Sequence, residues 1–281
     1  MKRILLTLSI ITFTCFTIAG EIFSVGKYSF EVITSSQVKL SCADKSISSA
    51  NISSTITYQN VTYSVISIGD QAFMDCSSLT SIRIPNSVTS IGNFAFSRCS
   101  SLLSITIPNS LLRIGVWAFE GCSSLVSITL PDGIKRIGDM AFMGCSSLVS
   151  ISVPSSIVSI GAHAFLLTGI YEDQSNWDAG ALYVSNCLIA VDPNLVGDYT
   201  IRPDTRLIAD QALSACNNLT SITIPHSVTC IGSWAFSGHY STTAVNYAGT
   251  KQQWNKISLN TDWNKNSNIQ IIHCTDGDFY L

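Results

Sequence analysis

Ile91-Gly-Asn-Phe-Ala-Phe-Ser-Arg-Cys-Ser-Ser-Leu-Leu-Ser-Ile-Thr-Ile-Pro108 returns 23 residues later as Ile114-Gly-Val-Trp-Ala-Phe-Glu-Gly-Cys-Ser-Ser-Leu-Val-Ser-Ile-Thr-Leu-Pro131. The hexad Ile-Gly-x-x-Ala-Phe that opens each copy begins at Ile68, Ile91, Ile114, Ile137 and Ile160. It appears again at Ile231, after a degenerate copy at Ile208 (Ile-Ala-Asp-Gln-Ala-Leu). Behind the Phe come Cys three residues on, Leu six on, and an Ile-x-Ile/Leu/Val-Pro ending. One such ending is Cys76, Leu79, Ile82, Ile84 and Pro85.

Each slot has a physical reading. The Ile-x-Ile alternation with Ser, Thr or Arg is the period of a half-buried strand, and the Pro that follows has no N–H for a ladder and ends it. One copy cannot bury both faces alone, so successive copies must stack. A 23-residue period with Leu-x-x-Ile-x-Ile predicts a leucine-rich-repeat solenoid. Its fold class is a β-rich coil of short parallel strands, stacked in right-handed turns about 4.8 Å apart with a small cap at each end. One Phe per coil predicts an aromatic stack, each ring contributing about 1.5–3 kcal/mol if fully buried. The hexad Gly marks either a left-handed turn or a tight backbone approach. Ala209 in the degenerate copy favours the second.

The organisation follows from where the rhythm holds. Met1-Lys2-Arg3, an uncharged apolar run from Ile4 to Ile18 and small Ala19-Gly20 read as a secretory signal peptide over 1–20. The run is short for a transmembrane span. Residues 21–60 lack the repeat and alternate like strands at Tyr28–Ile33, Val38–Leu40 and Ile52–Tyr58, which predicts an N-terminal β cap covering the exposed end of the first coil. The solenoid occupies 61–240, interrupted at about 169–207, because Ile160 and Ile208 stand 48 apart where two periods would be 46. Within the gap, Gly169 to Gly180 reads as a protruding loop, and Ser185-Asn186 as the turn of a hairpin. Residues 241–281 read as a C-terminal cap, with a short helix around Trp254 and Ile257, a last strand over Ile269–Ile272, and Trp254 as the plug of the final coil.

Composition narrows the function. Charged residues make up 12% of the chain and the net charge is −3, with no Lys/Arg cluster, so nucleic acid is not an expected partner. Of 10 cysteines, Cys76, Cys99, Cys122, Cys145 and Cys216 share one slot of the repeat, where Cys serves as a small buried hydrophobe. Thr168 and His239 take that slot elsewhere. No pair has zinc spacing, and reduced, buried thiols are expected; Cys42, Cys187, Cys230 and Cys274 lie outside the slot. His163, His226, His239 and His273 are scattered without carboxylates or thiols at ligand or catalytic spacing. The sequence carries no nucleophile elbow, so no enzyme, metal or cofactor is expected.

Two surface rows remain. Outward strand positions Ser81/Arg83, Ser104/Thr106, Ser127/Thr129, Ser150/Ser152 and Ser221/Thr223 form a hydroxyl face, for which solubility and the β-propensity of Thr are sufficient reason. The position before Ala-Phe varies: Gln71, Phe94, Trp117, Met140, His163, Gln211 and Trp234. Large apolar groups in a varying slot read either as an exposed ridge, the mark of an interaction surface, or as packing against neighbouring backbone. Phe94, Trp117, Met140, His163 and Trp234 are the candidate ligand-binding residues.

The run Ile-Gly-x-x-Ala-Phe-x-x-Cys-x-x-Leu-x-x-Ile-x-Ile-Pro resembles the BspA-like leucine-rich-repeat family over about residues 59–277, as do Ala248-Gly-Thr-x-x-x-Trp254 and Ile272-His-Cys-Thr-Asp-Gly277. The resemblance implies a secreted or cell-surface bacterial protein, in some members adhesive toward matrix proteins or other cells, with no activity and no cofactor. The interruption at 169–207 departs from an unbroken array. The expected function is non-enzymatic binding of an extracellular protein or glycan; the alternative is a structural module that self-associates or scaffolds partners.

Overall fold

The computed structural model describes residues 19–242 and 244–281. The signal sequence expected over 1–20 therefore lies outside the described residues, apart from Ala19 and Gly20.

The chain is a β-solenoid in which every regular coil contributes two short strands. One is the expected Ser-Ile-Thr segment: Ser81–Arg83, Ser104–Thr106, Ser127–Thr129 and Ser150–Ser152. The other was not foreseen as a strand. Ser90–Ile91, Arg113–Ile114, Arg136–Ile137 and Ser159–Ile160 form a parallel ladder continuous with Val61–Ile68 and, through it, with the N-terminal cap. The cap itself is antiparallel, Ile22–Val25 on Tyr28–Thr34 on Gln37–Ala43, before Gln37–Ala43 turns parallel to Val61–Ile68.

Between the ladders runs the aromatic stack. Phe73, Phe96, Phe119, Phe142 and Phe165 are fully buried. Successive centroids lie 5.0, 5.2, 5.3 and 5.6 Å apart with planes within 14° of parallel. The Cys slot does more than fill space. Cys99, Cys122 and Cys145 Sγ donate to the carbonyls of Phe73, Phe96 and Phe119 in the coil before, at 3.1, 3.1 and 3.0 Å. His239 keeps the bond in its own copy, Nε2 meeting Leu213 O at 2.8 Å, so the slot selects a small or flat donor rather than a hydrophobe alone. All nine described cysteines are free.

The hexad glycines resolve as tight approach. None of Gly69, Gly92, Gly115, Gly138, Gly161 or Gly232 has positive φ, and a Cβ on Gly115 would stand 2.5 Å from the carbonyl carbon of Gly92. The slot after the glycine adds a second rung-to-rung tie: Asp70, Asn93, Asp139 and Asp210 Oδ1 accept the N–H of Asn93, Val116, Ala162 and Ser233 at 2.7–2.9 Å.

The interrupted stretch ends both earlier ladders, which stop at Ser159–Ile160 and Ser150–Ser152, and starts new ones toward the next coil. Cys187–Val191 pairs parallel with Leu207–Ile208, and Gly197–Thr200 with Leu219–Ile224. The extra length is the hairpin Ala181–Val184/Cys187–Val191, turning at Ser185 in the left-handed region. Where a plain loop is expected before it, the chain forms a helix over Gly169–Glu172, capped by Thr168, and a 3-10 turn over Gln174–Asn176. Trp177 Nε1 donates to Tyr171 O at 2.8 Å, tying this arm down.

At the other end Lys251–Trp254 is a helix with a capping box from Thr250 and Gln253, and Ile271–Cys274 pairs with a further strand, Gly277–Tyr280. The plug differs from expectation. Trp263 stands edge-on to Phe236 at 5.4 Å and closes the column, while Trp254 packs behind it at 5.9 Å.

Candidate functional site

The varying slot has a backbone peculiarity that its side chains do not announce. Gln71, Phe94, Trp117, Met140, His163, Gln211 and Trp234 all lie in the left-handed region, φ 53 to 60°. The conformation aims their N–H groups along the solenoid: Phe94, Trp117 and Met140 donate to Val116, Asp139 and Ala162 of the next coil, each at 2.9 Å. Any residue other than Gly, Asn or Asp here costs about 1–2 kcal/mol. A second left-handed slot, just before the Cys, is filled by Asp75, Arg98, Gly121, Gly144, Leu167, Ala215 and Gly238. Glycine recurs there and never in the first slot.

In the first slot the side chains form a ridge. Phe94 and Trp117 are half-buried and stack with centroids 6.0 Å apart and planes 7° from parallel. Met140 is half-buried and His163 exposed. Trp234 lies farther along, with Lys265 Nζ 5.0 Å over its ring. The interrupted coil has no member of the row, and His163 and Gln211 face one another across it. Both line a pocket of about 190 Å³ with Phe165, Tyr171, Ile189 and Asp210. The sequence reading missed Tyr171, Ile189 and Asp210 as neighbours of the row; the 48-residue spacing was the available signal.

The hydroxyl face is not one unbroken ribbon. Ser104–Thr106 pairs with Ser81–Arg83, and Ser127–Thr129 with Ser150–Ser152, but the two pairs do not bond to each other. Leu103 and Val149 N–H donate to the coil before them at 2.9 and 3.2 Å, whereas Val126 N–H makes no such bond. A groove of about 520 Å³ opens at the break, lined by Ile105, Ile107, Ile128 and the flanking Ser and Thr. Beside it Leu103, Val126 and Val149 are 58, 50 and 62% exposed. Their signal was an apolar residue after the repeat Leu in three successive coils, where Thr80 and Thr220 stand elsewhere.

Of the groups with shifted pKa, Tyr171 and Asp210 line the pocket between His163 and Gln211, and burial raises both; the thiols sit apart from these surfaces. Burial pushes the Cys187 and Cys216 thiols up to about 12, and the Cys122 thiol is raised by the neighbouring Cys145 and Cys99 and then by burial. These groups stay protonated. His226 is exposed, and His273 Nδ1 pairs with Asp278 at 2.7 Å. His239 is buried with Nδ1 unpartnered, and burial lowers its pKa. Among the described residues no group of three or more His, Cys, Asp or Glu could hold a metal.

The sequence profile of the BspA type leucine rich repeat region (6 copies) matches residues 8–77, 66–172 and 196–276, well over half of the chain. The chain belongs to the BspA-type leucine-rich-repeat family. Among solved structures, this BspA-type chain is similar to the T. pallidum leucine rich repeat protein, at TM-score 0.52 and 22% identity over 79% of this chain and 91% of that one. That likeness is one of fold. A leucine-rich repeat protein from Bacteroides ovatus is 26% identical at TM-score 0.42, over 89% and 70% of the two chains. The pneumococcal vaccine antigen PcpA is 18% identical at TM-score 0.48, over 82% and 70%. A comparison with curated proteins finds no match. Among the described residues no helix is long and apolar enough to cross a membrane.

Proposed function

We propose that this BspA-type chain is a non-enzymatic binding module, secreted or held at the bacterial surface, that engages an extracellular protein through the ridge of Phe94, Trp117, Met140, His163 and Trp234. One observation carries the reading. The ridge puts Phe, Trp, Met and His at left-handed positions where Gly or Asn would cost the backbone less. Local rules of this kind are broken mainly where function needs the side chain. Stacked, half-exposed aromatics are also the groups that carry disproportionate energy in protein interfaces. Export is supported by the basic start and apolar run of residues 1–20.

The test uses Trp117→Asn, since Asn tolerates the left-handed conformation and removes the ring. Capture of proteins from a panel of purified matrix and cell-surface proteins is compared with the parent, alongside a thermal melt. Trp117→Asn is expected to weaken capture by more than about 1 kcal/mol with the melt unchanged or raised, while Ser127→Ala on the hydroxyl face leaves capture intact. A Trp117→Asn chain that melts far lower, with capture per folded molecule unchanged, makes the ridge packing. Self-association by sedimentation with no capture favours an assembly role instead.

A further inference from the structure

We infer that the pocket between the coil of His163 and the coil of Gln211 receives a lysine or arginine side chain of the partner. The inference rests on the binding role proposed above, and adds to it the chemistry of one anchor residue. Three features fit such a side chain from stem to head. Phe165, Ile189 and Val191 give an apolar lining for a methylene stem, and basic side chains bury their stems along such surface while the charge stays polar-solvated. Tyr171 supplies a ring, itself held edge-on by Trp177 at 5.2 Å, and aromatic faces attract ammonium and guanidinium groups. Asp210 supplies a carboxylate. Its Oδ1 accepts Ser233 N–H at 2.8 Å and its side chain also meets Asn260, so the carboxyl is held in place before a ligand arrives. Burial meanwhile raises its pKa and leaves it short of a counter-charge that a basic head supplies.

The surrounding charge selects the sign of the occupant. Residues 169–207 hold six acidic side chains (Glu172, Asp173, Asp178, Asp192, Asp198 and Asp204) and two basic ones (Arg202 and Arg206), a net −4 against −3 for the whole chain. Glu172 and Asp192 both act on the Tyr171 phenol. Asp139 lies close enough to raise the Asp210 pKa, and Arg136 to lower it. An acidic anchor is repelled by Glu172, Asp192 and Asp139, the carboxylates that act on Tyr171 and Asp210, and a basic one gains from them. The pocket also interrupts the ridge at its one gap, so a partner lying along Trp117 and Met140 reaches it without changing direction.

The probes are N-acetyl-arginine methylamide, N-acetyl-lysine methylamide and N-acetyl-norleucine methylamide, titrated into the isotope-labelled full chain. The amide resonances of Ile189, Gln211 and Ala212 and the Trp177 indole are followed. The two basic probes are expected to shift these signals saturably and the norleucine probe to leave them in place. Asp210→Asn, which keeps an acceptor for Ser233 N–H, should raise the arginine dissociation constant about 5-fold or more, because a charged hydrogen bond is replaced by a neutral one. Equal shifts from norleucine, or an unchanged constant in Asp210→Asn, overturn the inference. If Asp210→Asn fails to fold, salt supplies the second measurement on the native chain: affinity must fall as salt rises, and salt-independent binding overturns it. None of these probes reaches Phe94. A failed titration with capture still dependent on Trp117 therefore discards the pocket alone, and an intact titration with capture indifferent to Trp117 discards the ridge alone.

Discussion

Gly115→Ala tests the geometry on which all the stacking depends. The added methyl would stand 2.5 Å from Gly92 C, 2.6 Å from Gly92 O and 2.7 Å from Asn93 N. All three are backbone atoms, so no side chain can swing away. Restoring ordinary contact requires the coils to separate locally by about 1 Å. Gly115 N–H to Ile91 O, at 2.9 Å, spans that gap, and a separation of this size removes it as a hydrogen bond. Losing one buried backbone bond costs about 1–3 kcal/mol, and overpacking strain adds about 1–3 kcal/mol. The stiffer unfolded chain returns about 0.4–1 kcal/mol. The expected loss is therefore about 1–5 kcal/mol, centred on about 3. Gly133→Ala is the control, because its nearest neighbour would be Asn109 O at 3.6 Å and its φ is not positive. That variant should stay within about 0.5 kcal/mol of the parent. Equilibrium urea unfolding of the three chains measures both. If Gly115→Ala loses less than about 1 kcal/mol and tracks Gly133→Ala, the coils are not in backbone contact at this slot and the stacking account fails.

Three further outcomes follow from the same structure. Phe119→Ala should cost about 3–5 kcal/mol, since its ring is fully buried between Phe96 at 5.2 Å and Phe142 at 5.3 Å; an unshifted urea midpoint would refute the column. Thiol labelling of the native protein should modify exposed Cys42 and spare Cys99, Cys122 and Cys145 until denaturant is added; rapid native labelling of the last three would place the slot on the surface. His239, whose folded pKa burial lowers, should make stability pH-dependent. Its neutral form contributes fully above about 6.5, the unfolded value, and the contribution is lost as pH falls below that toward the folded pKa, because the unfolded chain takes up the proton first. His239→Cys, the slot's usual residue, should flatten this part of the stability profile measured by urea melts between acid and neutral pH, and an unaltered slope would exonerate the histidine.

The repeat made most of the fold legible, because periodicity reports burial directly: Ile82, Phe96, Cys99 and Leu102 recur where the core recurs. What stayed hidden was of two kinds. Backbone conformation was one. Nothing about Phe94 or Trp117 as residue types signals positive φ, and propensity points the other way, so the row could be named from its variation but not understood. Breaks in pairing were the other. Ser104–Thr106 and Ser127–Thr129 read alike, and no residue in either marks the missing bonds between them. At 169–207 the spacing showed that a coil was altered. Only the pairing of Cys187–Val191 with Leu207–Ile208 showed that the coil is retained, and hence that His163 and Gln211 come to line one pocket.

The location of the ridge follows from the demands of stacking. Within one coil, the Gly, Ala, Phe, Cys and Leu slots are fixed by the coils above and below, and the Asp or Asn slot by a hydrogen bond to the next coil. The left-handed slot is tied to the next coil through its backbone N–H, as Trp117 N–H to Asp139 O shows, and Phe94 and Trp117 add one ring stack between coils. Its side chain is released from the column, and the solenoid accepts Gln, Phe, Trp, Met or His there for the same backbone cost of about 1–2 kcal/mol. The fold thus carries a fixed conformational cost per coil for a row of side chains that lies outside the fully buried column. A row outside the column can change its chemistry from coil to coil, as Phe94, Trp117, Met140 and His163 do, and under the binding role proposed above that variation is what fits an irregular protein surface.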